Sequence, residues 1–238
     1  MTPLSKNART VGFFYLLLAL AGPIRLLYIP NKLFVHGDAA ATAANILAHE
    51  TLFRFGIAAD LFGAVILVFL ALAFYRLFKD VDHYQAVLLV IVGGVLPSAL
   101  YFGNTVNDAA ALALVNGADY LSVFTEPQRY ALARFFLDVH YLLIVSAEVL
   151  WGLWLFPMAI LTLKSGFLPK FLGWWLILNG FTYLVLSFTG VFLPQYQTSV
   201  SAYAFPFQLG ELVFLLWLLI LGAKEKPTKG QRPITLFN

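Results

Sequence analysis

The chain has 238 residues, of which 61% are hydrophobic and only 11% charged, against about 25% charged in an ordinary soluble domain. Its formal net charge of +3 comes from basic residues clustered at the ends of apolar runs, so it gives no support to nucleic-acid binding. The absence of cysteine excludes disulfides, thiolate metal sites and a cysteine nucleophile.

Apolar runs long enough to cross a bilayer define an all-α protein, a polytopic membrane helix bundle with six transmembrane helices. Residues 1–10 read as a short tail, 11–222 as the transmembrane domain and 223–238 as a basic tail. The first span runs from Val11 to Ile29 and carries a kink signal at Gly22-Pro23. Ala19-Leu20-Ala21 imitates a signal-peptidase site, but the apolar run continues past it. Arg25 lies close to the end of that span, where a snorkelling arginine is the ordinary reading. Asp38 is placed to cap a short Ala-rich helix, Ala39 to His49, with a weak apolar face.

The second span, Thr51 to Phe78, holds Asp60 between Gly56 and Gly63, a small-residue face that admits a neighbouring helix. The third runs from Tyr84 to Phe102. Residues 103–128 then read as a longer loop, with Asn107-Asp108 capping one or two helical turns. Thr125-Glu126-Pro127-Gln128 has capping-box spacing and opens a long helix to Lys164. About half of that helix stands outside a hydrocarbon core of roughly 30 Å. The fifth span is Phe171 to Leu193. A short polar loop, residues 194–205, leads into the sixth, Pro206 to Gly222.

Basic residues orient the bundle. Ten of them (Lys6, Arg9, Arg76, Lys79, Lys164, Lys170, Lys224, Lys226, Lys229 and Arg232) fall on one side and five on the other, which places both termini in the cytoplasm.

Counting inward from each span's cytoplasmic charge gives a depth. Arg9 to Arg25, Arg76 back to Asp60 and Lys164 back to Glu148 are sixteen residues each, about 24 Å; Lys224 back to Glu211 is thirteen, about 20 Å. One cation and three carboxylates thus share a level in the outer leaflet. Arg134, Asp138, Tyr141, Val145 and Glu148 recur on one face of the long helix, with His140 beside them. Ionisable groups inside a membrane are costly and usually face a bundle interior or a wet cavity. The expected site is an outward-facing polar pocket drawn from Arg25, Asp60, Arg134, Asp138, His140, Tyr141, Glu148 and Glu211. Against this stands a plain ion-pair network that fixes helix packing, with Arg134 and Asp138 as a solvated pair.

No phosphate loop, dinucleotide fingerprint or zinc-protease spacing is present, so no cofactor and no metal is expected. The partners expected are the lipid bilayer and a lipid or small amphiphile bound or moved by the pocket. The alternatives are an intramembrane enzyme using a carboxylate as acid or base, metal-assisted through His36, His49 or His140, and a non-catalytic accessory or sensory subunit.

The stretch from Gly152 to Leu184, above all Lys164-Ser165-Gly166-Phe167-Leu168-Pro169, resembles a bacterial family of unknown function whose members are six-span membrane proteins of about this length. Further matches lie at Asn45-Ile46, Phe53-Arg54, Leu77-Phe78-Lys79, Gly210-Glu211 and Leu216-Trp217-Leu218-Leu219. The resemblance implies a multi-pass protein of the bacterial inner membrane. It implies no activity and no catalytic residues.

Overall fold

The computed structural model describes residues 2–224; the basic tail expected at residues 223–238 lies almost wholly outside the described residues. The described chain forms seven helices, α1 Pro3–Leu33, α2 Ala39–Ala48, α3 Glu50–Phe78, α4 His83–Asn116, α5 Glu126–Ser165, α6 Lys170–Phe192 and α7 Pro194–Leu221. All but α2 are long and apolar enough to cross a membrane. The protein is a polytopic helical membrane bundle.

The six long helices close into a ring. Helix α1 packs on α3, α3 on α4, α4 on α5, α5 on α6, α6 on α7, and α7 returns to α1. Three contacts gather the ends of four helices on the side of the termini. Arg9 Nη2 donates to Ile220 O at 3.1 Å, Lys224 N donates to Phe167 O at 3.2 Å, and Lys164 Nζ lies 2.7 Å from Asp82 Oδ2.

Two apolar cores fill the ends of the ring. The one nearer the termini includes Val11, Phe74, Phe78, Met158, Leu176 and Phe214, all buried. The one at the opposite end is built from Ile29, Leu33, Phe53, Val115 and Leu137 together with Ala43 and Ile46 of α2. Those two residues sit three apart and are buried, so α2 packs onto the far end of the bundle.

Three spans are longer than their hydropathy suggests. Helix α1 starts at Pro3, with the Thr2 hydroxyl accepting from Ser5 N, so most of the expected tail is helical. Helix α4 runs unbroken through the expected loop to Asn116 and stops where Gly117 takes φ +67°. Helix α7 takes in the polar stretch 194–205 and carries Pro206 in its interior. A helix satisfies its backbone groups internally, which outweighs a few polar side chains near a membrane.

The capping box at Thr125 and Gln128 is formed, and α5 continues through Pro157 to Ser165. The break in α1 is a wide turn over Ile24–Tyr28, in which Ile29 N donates to Ile24 O. A second wide turn covers Ile91–Val95 in α4, with Leu96 N donating to Ile91 O. Each ends two residues before a proline, Pro30 and Pro97. A proline ring clashes with the carbonyl four residues back and offers no N–H, and slipping to an i+5 bond relieves both.

Candidate functional site

Between the two apolar cores lie a buried polar network, a second one that is partly buried, and a cavity that spans the distance between them. The first is centred on Arg25, which the wide turn of α1 directs inward while Leu27 and Tyr28 stay exposed. Gly56 of α3 leaves room for it, since a Cβ there would lie 2.9 Å from Ile29 Cδ1 and 3.6 Å from Arg25 Cδ. Arg25 Nε donates to Asp60 Oδ2 at 2.6 Å, and Nη2 donates to Asp108 Oδ2 at 2.6 Å and to His140 Nε2 at 2.7 Å. Helices α1, α3, α4 and α5 therefore meet at one guanidinium. Because His140 Nε2 accepts from Arg25, its ring proton is placed on Nδ1, which faces Asp108 Oδ2 at 3.2 Å. Asn104 Nδ2 donates to the His140 carbonyl at 3.2 Å and ties α4 to α5 beside the cluster. The four central side chains are nearly sealed from solvent, with Arg25 6%, Asp60 9%, Asp108 1% and His140 7% exposed.

The second network lies nearer the termini, about 15 Å along α1 at 1.5 Å per residue. Glu211 of α7 receives the Tyr15 hydroxyl on Oε2 and the Asn179 amide on Oε1, the latter at 3.0 Å. Both partners are neutral donors.

A cavity of about 160 Å³ joins the two networks on the axis of the ring, and every spanning helix contributes to its wall. Arg25 and Asp60 line one end and Tyr15, Tyr183 and Glu211 the other. Between them stand Tyr101, Trp151 and Trp154, while Ala21, Gly22, Ala59 and Gly63 keep the α1 and α3 walls low. The rings brace one another edge to face, Tyr15 on Trp154 at 5.5 Å and Trp151 on Tyr183 at 5.7 Å. Among the described residues, Trp154 Nε1 is buried without a hydrogen-bond acceptor.

The eight residues singled out from the sequence separate into groups. Arg25, Asp60 and His140 come together; Glu211 lies in the other network. Glu148 joins neither and does not line the cavity, and its Oε2 is buried with no partner among the described residues. Arg134 and Asp138 form an i,i+4 pair at 2.9 Å with 27% and 58% of their side chains exposed, and Arg134 also donates to Val35 O at 3.1 Å. Tyr141 is 61% exposed. The single level of one cation and three carboxylates is thus corrected to two networks and a lone carboxylate. Depth along a helix places a residue at a level, but the direction it faces decides its company. Arg25 is buried in the bundle and does not snorkel.

Asp108 is the residue that sequence reasoning placed wrongly. It caps no loop helix but sits in the interior of α4. The signal was its spacing: Asn104, Asp108, Ala111 and Val115 recur at steps of four, three and four and are all buried.

Asp60, Asp108 and His140 offer three ligand atoms within 4.8 Å of one another, a set with metal-binding chemistry. Arg25 already donates to each of the three, so a metal ion would have to displace the guanidinium. His36 and His49 do not join this set.

Over 91 residues the chain is 31% identical to an uncharacterized protein of Archaeoglobus fulgidus, a match covering 37% of this chain and 51% of the archaeal one, so it spans about half of that relative. No solved structure matches the chain. Residues 10–222, which include both networks and the cavity, match the family described as a domain of unknown function (DUF4386), and the chain belongs to that family.

Proposed function

We propose that this membrane protein binds a small amphiphile in its axial cavity, with the Arg25 end facing outward across the inner (plasma) membrane. The observation that carries the reading is the composition of the wall, in which aromatic rings and aliphatic side chains line a space with ionisable groups at each end. An apolar wall supplies contact area, and a few convergent polar groups orient the occupant. The Trp154 indole N–H supports the same reading. A buried donor without an acceptor costs about 1–3 kcal/mol, which an occupant with an oxygen removes. The orientation rests on the ten-to-five excess of basic residues on the side of the termini.

Gly22 provides the test. It lines the cavity, and a Cβ built on it meets nothing within 4 Å. Gly22→Leu extends an apolar side chain into the space from a position whose Cβ meets neither network. Replacing a helical glycine also adds up to about 1 kcal/mol of helix propensity. Mass spectrometry of protein purified gently from its own membrane is expected to find a stoichiometric amphiphile in the wild type and none in this variant, with the variant melting no lower. A variant that keeps its amphiphile would show that the cavity is not the site.

A second reading is an intramembrane hydrolase with a metal ion on Asp60, Asp108 and His140, favoured by the proximity of those donors. Stoichiometric zinc lost on His140→Ala would put it first.

A further inference from the structure

The charge balance around the cavity narrows the class of ligand. Asp60 and Glu211 line the axial space, Asp108 joins Asp60 at Arg25, and Glu148 lies three residues before Trp151 of the wall; Arg25 is the one cation paired with any of these four carboxylates among the described residues. One guanidinium neutralises one carboxylate. Asp108 uses Oδ2 for both Arg25 and His140, while its Oδ1 is buried without a partner, as is Glu148 Oε2. Glu211 is held by a phenol and an amide, neither of which carries charge. Uncompensated carboxylates in a membrane interior must gain protons or cations. The wall between the networks includes Trp151, Trp154, Tyr101 and Tyr183, the ring types whose faces attract an ammonium group.

We infer that the amphiphile is an organic cation, whose ammonium group lies against the rings of the cavity wall between Asp60 and Glu211. This inference rests on the proposed binding function and adds the ligand's charge to it. An anionic head would meet Asp60 and Glu211 with Arg25 already committed. A neutral one would leave the excess charge to be taken up by protons alone. The cation needs no covalent step; it enters as a soluble or lipid-borne ammonium and leaves the same way.

The test compares three probes of one shape on the full chain in an uncharged maltoside detergent: choline, its neutral isostere 3,3-dimethylbutanol, and the anion 3,3-dimethylbutanoate. Tryptophan fluorescence reads the binding, since two of the chain's five tryptophans, Trp151 and Trp154, stand in the cavity wall, and Gly22→Leu separates cavity binding from effects on the other three and on detergent. The expected result is saturable choline binding at least tenfold tighter than that of the alcohol, lost in Gly22→Leu. Glu211→Gln should weaken choline at least tenfold and leave the alcohol unchanged. If Glu211→Gln does not fold, the comparison of the three probes on the wild type still decides. Equal or tighter binding of the alcohol or the anion overturns the cationic class and leaves the binding function standing. No saturable response to any probe, with a neutral or anionic amphiphile recovered from the native membrane, does the same. No response and no recovered amphiphile overturns both.

Discussion

At Arg25, one guanidinium donates to side chains from three other helices, all buried, and its removal tests what the cluster contributes. Arg25→Met leaves Asp60 and Asp108 facing each other without a cation, and breaking a buried ion pair from one side costs about 3–5 kcal/mol. The triple variant Arg25→Met, Asp60→Asn, Asp108→Asn removes the charges together. Thermal unfolding in a mild detergent is expected to show the single variant strongly destabilised and the triple variant recovering most of the loss. Equal melting of wild type and Arg25→Met would mean that the carboxylates are already neutralised by something else. Asp82, outside the spans, sets a pH dependence of its own. The hydrogen bond from Lys164, then that from Gln85 N, holds its carboxyl below the usual range. A depressed carboxylate stabilises the fold above its unfolded pKa of about 3.9, and this is lost as pH falls through the lower folded value. Melting curves of Asp82→Asn should lie slightly below those of the wild type above about pH 4, since an exposed pair contributes little, and should converge on them only as the pH falls through the lower folded value.

Among the elements, α5 and α6 approach each other closely through glycines. A Cβ on Gly152 would lie 2.7 Å from the Gly180 carbonyl oxygen, a backbone atom that cannot rotate away. Gly152→Ala is expected to cost about 1–3 kcal/mol by forcing the two helices apart. Gly103, in α4 with nothing within 4 Å of its Cβ, is the control, and Gly103→Ala should melt at or above the wild-type temperature. What was legible at this scale follows from physics that is local in sequence. The α5 capping box, the Asp38 cap of α2 and the apolar length of each span depend on neighbours a few residues apart. The reach of α4 and α7 was not legible, because Gly103, Asn104, Asn107 and Asp108 have turn chemistry and Pro206 is a helix breaker in water. Only their packing shows these residues spent inside helices. The same holds for the site. Arg25, Asp60, His140 and Glu211 were found as charges at membrane depth, whereas Tyr15, Tyr101, Trp154 and Asn179 look like ordinary apolar-span residues until the ring of six helices brings them to one axis.

For the whole molecule, the proposed topology places the turn between α3 and α4 in the cytoplasm and the link between α4 and α5 outside. The absence of cysteine gives a clean background for testing this. Tyr120 is 74% exposed in that link, and Tyr120→Cys is expected to react with a membrane-impermeant maleimide on intact cells. Asp80→Cys, in the α3–α4 turn, should react only after permeabilisation; the reverse pattern would turn the cavity's Arg25 end inward. The central claim is that the bundle is built around an occupied axial space. The most direct measurement is a structure of the wild-type chain in nanodiscs of its own membrane lipids. The account predicts continuous ligand density between Gly22, Trp154 and Tyr183, with its polar end within hydrogen-bonding reach of the Arg25–Asp60 or the Tyr15–Glu211 network. Side chains closed over that space, or only isolated water-sized peaks bridging the two networks, would contradict it and leave the buried charges as devices of helix packing.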